Sequence, residues 1–236
     1  MTEELFLEDA YLKQGEARVT GRQADAVVLD ATVCYPRGGG QPGDSGWIER
    51  GDGSRIAIID TVRDRDSGEI LHLLEPGAAR PEPGETVRVG IDWARRYRLM
   101  RLHSAMHMMC AVIPQPVTGG NIRDNGSARL EFDLPEPPDK AELEARLNEL
   151  THRDITMRSR WISDQELDAR PELVRTLSVQ PPRGAGRIRL VEFEGVDLQP
   201  CGGTHVANAR EIGDIRIDSI KKKGRLNRRI TILLVE

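Results

Sequence analysis

The 236-residue chain is 38% hydrophobic and 31% charged, with a formal net charge of -4, the balance of a globular protein with one large domain or two modest ones. No apolar run approaches the roughly 18 residues of a membrane span, and the acidic start MTEELFLEDA lacks the basic opening and apolar core of an export signal. Overall acidity excludes a protein that coats polyanions by bulk charge. Three scattered cysteines, Cys34, Cys110 and Cys201, exclude a disulfide framework, so a cytoplasmic location is expected.

Two styles of sequence meet near Ile91. Before it, β-prone runs such as ADAVVLDATVCY, RIAIIDTV and ETVRVGI alternate with PRGGGQPGDSG, ERGDGS and EPGAARPEPGE, which predicts a small β-barrel or sandwich over residues 1–91. Asp92 is placed to cap a helix from Trp93 to about Ile113, where Pro114 and Pro116 stop it. Leu99, Leu102, Met106, Met109, Cys110 and Ile113 form an apolar stripe along that helix. TGGNIRDNGS reads as turns and ARLEFDL as a strand. Asp139 with Glu142, and Ser163 with Glu166, have capping-box spacing at the heads of two further helices. DITMRSRWI, GRIRLVEFEG and the two halves of EIGDIRIDSIKKKGRLNRRITILLVE read as strands, the last two joined by a glycine turn at Gly224. Residues 92–236 are thus expected to form a second, α+β domain on a mostly antiparallel sheet.

Charge is uneven along this chain. From Arg216 to Arg229, seven basic residues face Asp218 alone, a net of +6, and Arg95, Arg96, Arg98 and Arg101 cluster at the head of the long helix. A solvated face is the plain reading of such runs.

The helix carries RLHSAMHMMC, in which His103 and His107 stand at i and i+4 and share a face. Alone, the pair fits hydrogen-bonded core histidines as well as a metal site. The zinc-protease pattern has a glutamate after its first histidine, and here that position is Ser104. Far downstream, DLQPCGGTHVA adds Cys201 and His205, and Gly202-Gly203 suggests a tight turn that aims both side chains inward. Three imidazoles and one thiolate from two segments are a zinc ligand set. Cys34 and Cys110 read as core, and His72 and His152 as hydrogen-bonded or exposed.

These residues resemble the free-standing alanyl-tRNA editing proteins, relatives of the editing domain of alanyl-tRNA synthetase. The resemblance rests on HSAMH against the usual HTxxH, on CGGTHV, and on YPRGGGQPGDSG, which is similar to the glycine motif of the longer members. It covers nearly the whole chain, and Ser104 is its one visible departure. It implies a translation-factor-like barrel and a two-layer α+β zinc domain that hydrolyses the ester joining serine, and in longer forms glycine, to tRNA(Ala). Such a protein acts in trans on mischarged tRNA(Ala), with no membrane and no obligate protein partner. On this reading His103, His107, Cys201 and His205 hold Zn2+ and carry the catalysis. Four protein ligands normally close a zinc site, so one ligand stands off, the ion expands its shell, or it orients substrate. Sparing alanine requires a group that bonds the serine hydroxyl. Ser104 and Thr118 are the candidates, with Gly38, Gly39, Gly40 and Gln41 shaping a wall against the amino acid or meeting the terminal adenosine. Lys221, Lys222 and Lys223 are then expected to contact tRNA phosphates. The rival expectations are a zinc-stabilised RNA-binding module without catalysis, and editing of seryl-tRNA(Thr).

Overall fold

Strands bounded by glycine turns build the first part of the chain, as seen in a computed structural model that describes residues 2–177 and 186–235. The elements are β1 (Glu3–Glu4), α1 (Leu5–Glu8), β2 (Gln14–Gln23), β3 (Ala26–Leu29), β4 (Ala31–Thr32), β5 (Gly46–Glu49), β6 (Arg55–Arg63), β7 (Ile70–Leu74) and β8 (Thr86–Ile91). Among the described residues, β2, β3, β7, β6, β5 and β8 close a barrel in that order, so the sandwich alternative falls away. Its interior is filled by Val19, Val27, Leu29, Val33, Cys34, Ile48, Ile58 and Val89. Desolvation pushes the enclosed Cys34 thiol up to about 12, which keeps it protonated and inert. His72 is enclosed too. It lies 2.7 Å from Thr32 Oγ1 and 3.2 Å from the Val27 carbonyl, and burial drives its ring down to about 4.

The segment YPRGGGQPGDSG is bound into this barrel. Gly38 and Gln41 exchange backbone hydrogen bonds of 3.1 and 2.8 Å across Gly39 and Gly40. Their φ values of +53° and +82° are those of a mirror-image hairpin turn that favours glycine at both positions. Gln41 is enclosed. A Cβ on Gly43 would collide with the Thr61 carbonyl, and one on Gly46 with the Gly90 carbonyl. Asp44 accepts from the Tyr35 amide at 2.7 Å and from Arg96 Nε at 2.9 Å, with a second, shorter contact from Arg96 Nη2. Arg96 also donates to the carbonyls of Ala10 and Val33, so this fully buried guanidinium has partners on every side.

The long helix α2 (Trp93–Val112) begins where Asp92 accepts from the Arg95 amide at 3.1 Å, the expected cap. Leu99, Leu102, Met106, Met109, Cys110 and Ile113 are all buried, and so are Met100, Ala105 and Met108, so burial extends beyond the single stripe. The chain divides into two compact units at Arg98/Leu99, inside α2 and beyond residue 91 where the sequence style changes. The first turns of the helix belong to the barrel because Arg95 donates to the Gly43 carbonyl and Arg96 pairs with Asp44.

The second unit contains β9 (Val117–Ile122), β10 (Ser127–Asp133), α3 (Lys140–Thr151), β11 (Met157–Ile162), α4 (Asp164–Asp168), β12 (Ile188–Phe193), β13 (Asp197–Pro200), β14 (Ile215–Gly224) and β15 (Asn227–Leu234). They make two antiparallel sheets, β14-β15-β10-β9 and β11-β12-β13. Asp139 caps α3 through the Glu142 amide, and Ser163 with Glu166 forms the full reciprocal box on α4. α3 also protects the edge of β14: Asn148 bonds both backbone groups of Ile215, and Glu144 accepts from the Ile217 amide. Two expectations change. TGGNI is strand β9, because a Cβ on Gly120 would strike Leu130 and crowd Met106, so this glycine serves close packing and not a turn. Gly224 ends β14, and Arg225 and Leu226 make the hairpin turn.

Removing the charge of Asp44 strands Arg96 in the interior. Asp44→Asn is expected to destabilise the protein by about 3–5 kcal/mol, the usual cost of breaking one side of a buried pair, as read by denaturant unfolding.

Candidate metal centre

Two elements of the second unit meet at one point. α2 presents His103 and His107 from successive turns, while β12 and β13 lead into a loop that carries Cys201 and His205. One ligand atom from each of the four residues lies within 4.8 Å of the others. Cys201 Sγ is 3.6 Å from His103 Nε2 and 3.2 Å from His205 Nε2. The rings of His103 and His107 each come within 4.5 Å of the His205 ring, centroid to centroid, and Phe193 packs beside His107 and His205. The three histidines are buried and Cys201 is half-buried, followed by an exposed Gly202, so the cluster opens on the cysteine side. This donor set can hold a metal ion.

Each arm of the cluster has its own support. The Cys201 amide continues the β12–β13 ladder by donating to the Arg189 carbonyl at 3.0 Å. Arg189 Nη1 donates in turn to the carbonyls of Cys201 and Gly203 at 3.2 and 3.0 Å. The loop is therefore shaped by this arginine. Gly202 and Gly203 are not among the residues with positive φ, and a Cβ on Gly202 would meet nothing, so the expected glycine-driven turn is replaced by the Arg189 clamp. His107 Nδ1 lies 2.7 Å from Asp197 Oδ2, with Gln199 Nε2 donating to that same oxygen at 2.9 Å. Ser104 Oγ is 3.3 Å from His205 Nδ1 and accepts from the Val206 amide at 3.2 Å.

Close approach and burial shift the protonation of three of the four groups. Desolvation opposes a charge on His107, but the hydrogen bond to Asp197 and the neighbouring Cys201 outweigh it and raise the ring to about 10. Desolvation likewise opposes ionisation of Cys201, yet His103 and His205 bring the thiol well below its ordinary value. Burial, followed by repulsion from His103, holds His205 well below the usual histidine range. A thiolate is the form of Cys201 that a divalent ion takes up, whereas the charged His107 ring must release its Nε2 proton as an ion binds.

Not every expected site residue joins the cluster. Ser104 is enclosed behind His205 and bonded to the loop, which removes it as a partner for a substrate hydroxyl. Thr118 sits half-buried on β9 and accepts from Asn227 Nδ2 at 2.8 Å. Gly38, Gly39, Gly40 and Gln41 belong to the barrel unit and form its hairpin turn. Lys221, Lys222 and Lys223 are exposed on β14 together with Arg216, and Arg225 is exposed in the hairpin turn that follows. Arg228 is spent on the carbonyls of Gly224, Asn227 and Pro135, and Arg229 on Glu131, so the net +6 of that segment overstates its outward charge. In the Arg95–Arg101 cluster Arg98 is exposed, while Arg95 and Arg96 bind the barrel and Arg101 the Ile212 carbonyl. Cys110 is core, and His152 pairs on the surface with Asp214. Sequence reading missed Asp197, Gln199 and Arg189. Asp197 and Gln199 did leave a signal, two polar residues at i and i+2 on a strand that runs directly into Cys201.

The fold and cluster define a barrel joined to an α+β domain of the kind appended to class II tRNA synthetases. Residues 6–95 match the family model for tRNA synthetases class II (A), and residues 188–231 match that for the threonyl and alanyl tRNA synthetase second additional domain. The chain is 36% identical to the alanyl-tRNA editing protein AlaX-M of Saccharolobus solfataricus, over 98% of each chain. It is 37% identical to the AlaX-M protein of Methanosarcina barkeri, over the full length of both. It is also 32% identical to the alanine–tRNA ligase of Saccharolobus islandicus, where 94% of this chain aligns with 25% of the ligase. The chain belongs to the alanyl-tRNA editing protein family.

Replacing Cys201 by serine removes the one thiolate from the cluster. The variant is expected to lose stoichiometric Co2+ binding, with affinity down on the order of 100-fold or more, and to lack the sulfur-to-metal absorption band expected of the unaltered protein on titration.

Proposed function

We propose that the chain is a trans-editing hydrolase that cleaves the ester joining serine to tRNA(Ala), with glycine as a second amino acid, and that it works with zinc held by His103, His107, Cys201 and His205. The observation that carries this reading is the meeting of a helical HxxxH pair with a CxxxH loop, in a chain that aligns from end to end with alanyl-tRNA editing proteins. Zinc suits the donors. A tetrahedral ion ~2.0–2.3 Å from each ligand spaces them about 3.3–3.8 Å apart, close to the 3.2 and 3.6 Å from Cys201 Sγ to His205 and His103.

An aminoacyl ester is already activated, so the chemistry demands less acceleration than peptide hydrolysis. Bound zinc would supply Lewis-acid polarisation of the ester carbonyl. The chain's own residues hold the imidazoles in place, exclude water from the helix side through the buried stripe of α2, and leave the Cys201–Gly202 side open to the substrate. Selecting serine over alanine requires a polar partner that alanine leaves unsatisfied. With Ser104 enclosed, Thr118 is the remaining candidate for that role. The partner is mischarged tRNA(Ala), and the exposed Lys221, Lys222 and Lys223 are proposed to meet its phosphates. No helix among the described residues is long and apolar enough to cross a membrane.

The test is hydrolysis of seryl-, glycyl- and alanyl-tRNA(Ala) and of seryl-tRNA(Thr), with and without chelator. Rapid release of serine from tRNA(Ala), abolished by chelator and restored by Zn2+, is expected, with alanyl-tRNA(Ala) spared. Thr118→Val is expected to narrow the preference for seryl over alanyl ester by about tenfold or more. Binding without turnover would make the protein a metal-stabilised RNA-binding module, and turnover confined to seryl-tRNA(Thr) would move it to the threonine branch.

Replacing Lys221, Lys222 and Lys223 together by alanine is expected to weaken tRNA binding and to lower the slope of log affinity against log salt by about 2–3, roughly one for each phosphate no longer neutralised. Filter binding across a salt series reads both, and an unchanged slope would remove these lysines from the interface.

A further inference from the structure

We infer that Asp197 is a positioning residue for the metal centre, fixing which nitrogen of His107 faces the ion; the inference rests on the metal reading above. An imidazole has two nitrogens, and only one can ligate. Asp197 Oδ2 lies 2.7 Å from Nδ1 of His107, so Nδ1 keeps its proton and donates it, and Nε2 is the nitrogen that gives up its proton to ligate an ion. Both groups are enclosed, with side-chain exposures of 4% for His107 and 1% for Asp197, so bulk water does not compete for the hydrogen bond.

The carboxylate is itself held. It opens β13, paired across the sheet with Phe193, and Gln199 on the same face of the strand donates to its Oδ2 at 2.9 Å. Gln199 Nε2 also lies 3.1 Å from His107 Nδ1, but a protonated Nδ1 offers no lone pair, so the amide serves the carboxylate and not the ring. The same strand runs on through Pro200 to Cys201. One short β-strand therefore delivers a ligand and the group that orients a ligand on the facing helix. His205 is supported differently, by the neutral hydroxyl of Ser104. A carboxylate behind an imidazole also makes that imidazole a stronger donor and offsets part of the ion's charge.

The test is competition for Zn2+ between a chelator of known affinity and the full-length protein, compared with Asp197→Ala and Asp197→Asn. Both variants are expected to fold with unchanged circular dichroism and to bind zinc about 10–100-fold more weakly. Asp197→Asn is expected to lose less because it keeps an acceptor of the same shape. The Co2+ spectrum of the asparagine variant should shift in its ligand-field bands while keeping the thiolate band, a change that a purely structural residue would not cause. If Asp197→Ala fails to fold, the asparagine variant decides. Folded variants that hold zinc as tightly as the unaltered chain overturn the inference. An unaltered protein that takes up no zinc overturns the metal reading itself, and this inference with it.

Discussion

Three buried imidazoles and a thiol crowd one small volume, and the second unit holds His107, His205 and the Cys201 loop there with bonds from outside the cluster. Without an ion the group is electrostatically frustrated, with His103 depressing the charged form of His205 and both imidazoles favouring a thiolate on Cys201. The supports answer this one at a time. Asp197 sets His107, Ser104 backs His205 and ties the Val206 amide to α2, and Arg189 grips two carbonyls of the loop. The hydrogen bonds to His107 Nδ1 and His205 Nδ1 thus lie on the rear of those rings. Their fronts are left to face one another.

Glycine has two distinct uses in this chain, and they explain why motifs dense in it are easy to misread. At Gly39 and Gly40 the backbone is left-handed, and at Gly43, Gly46 and Gly120 a side chain would strike a neighbouring strand. At Gly202 neither reason holds. Gly38, Gly39, Gly40 and Gln41 of YPRGGGQPGDSG are expected to shape a wall against the amino acid or meet the terminal adenosine, yet Asp44 of that segment is locked to Arg96 and Gln41 is enclosed. Much of the motif is spent on the barrel itself.

How much the sequence disclosed depended on range. The i, i+4 histidines, the caps at Asp92, Asp139 and Ser163, and the final hairpin follow from spacings within one turn or one strand, and all are present. The barrel was legible as evenly spaced short strands, though not which strands pair. Partnerships across distance were not legible. Arg96 finds Asp44, and His107 finds Asp197, only after the chain has folded, because nothing in local spacing links them. β9 was missed because glycine carries opposite meanings, turn former on an open chain and packing residue inside a sheet. The Gly202-Gly203 step is open to the same misreading, since Arg189, which bends the loop, lies on β12, with β13 between it and the loop.

Charge shows the same dependence on folding. Seven basic residues between Arg216 and Arg229 look equivalent in the sequence, but β15 turns Arg228 inward and places Arg229 opposite Glu131 on β10. Exposed positive charge is left on β14 and the hairpin turn, at Arg216, Lys221, Lys222, Lys223 and Arg225. Because salt screens exposed charges beyond about 8–10 Å, a polyanion at that hairpin responds to these few cations and scarcely to the net -4 of the whole chain. An acidic protein can in this way present a local phosphate-binding edge. Its strength is set by which side chains the sheet register leaves outside, not by how many the sequence contains.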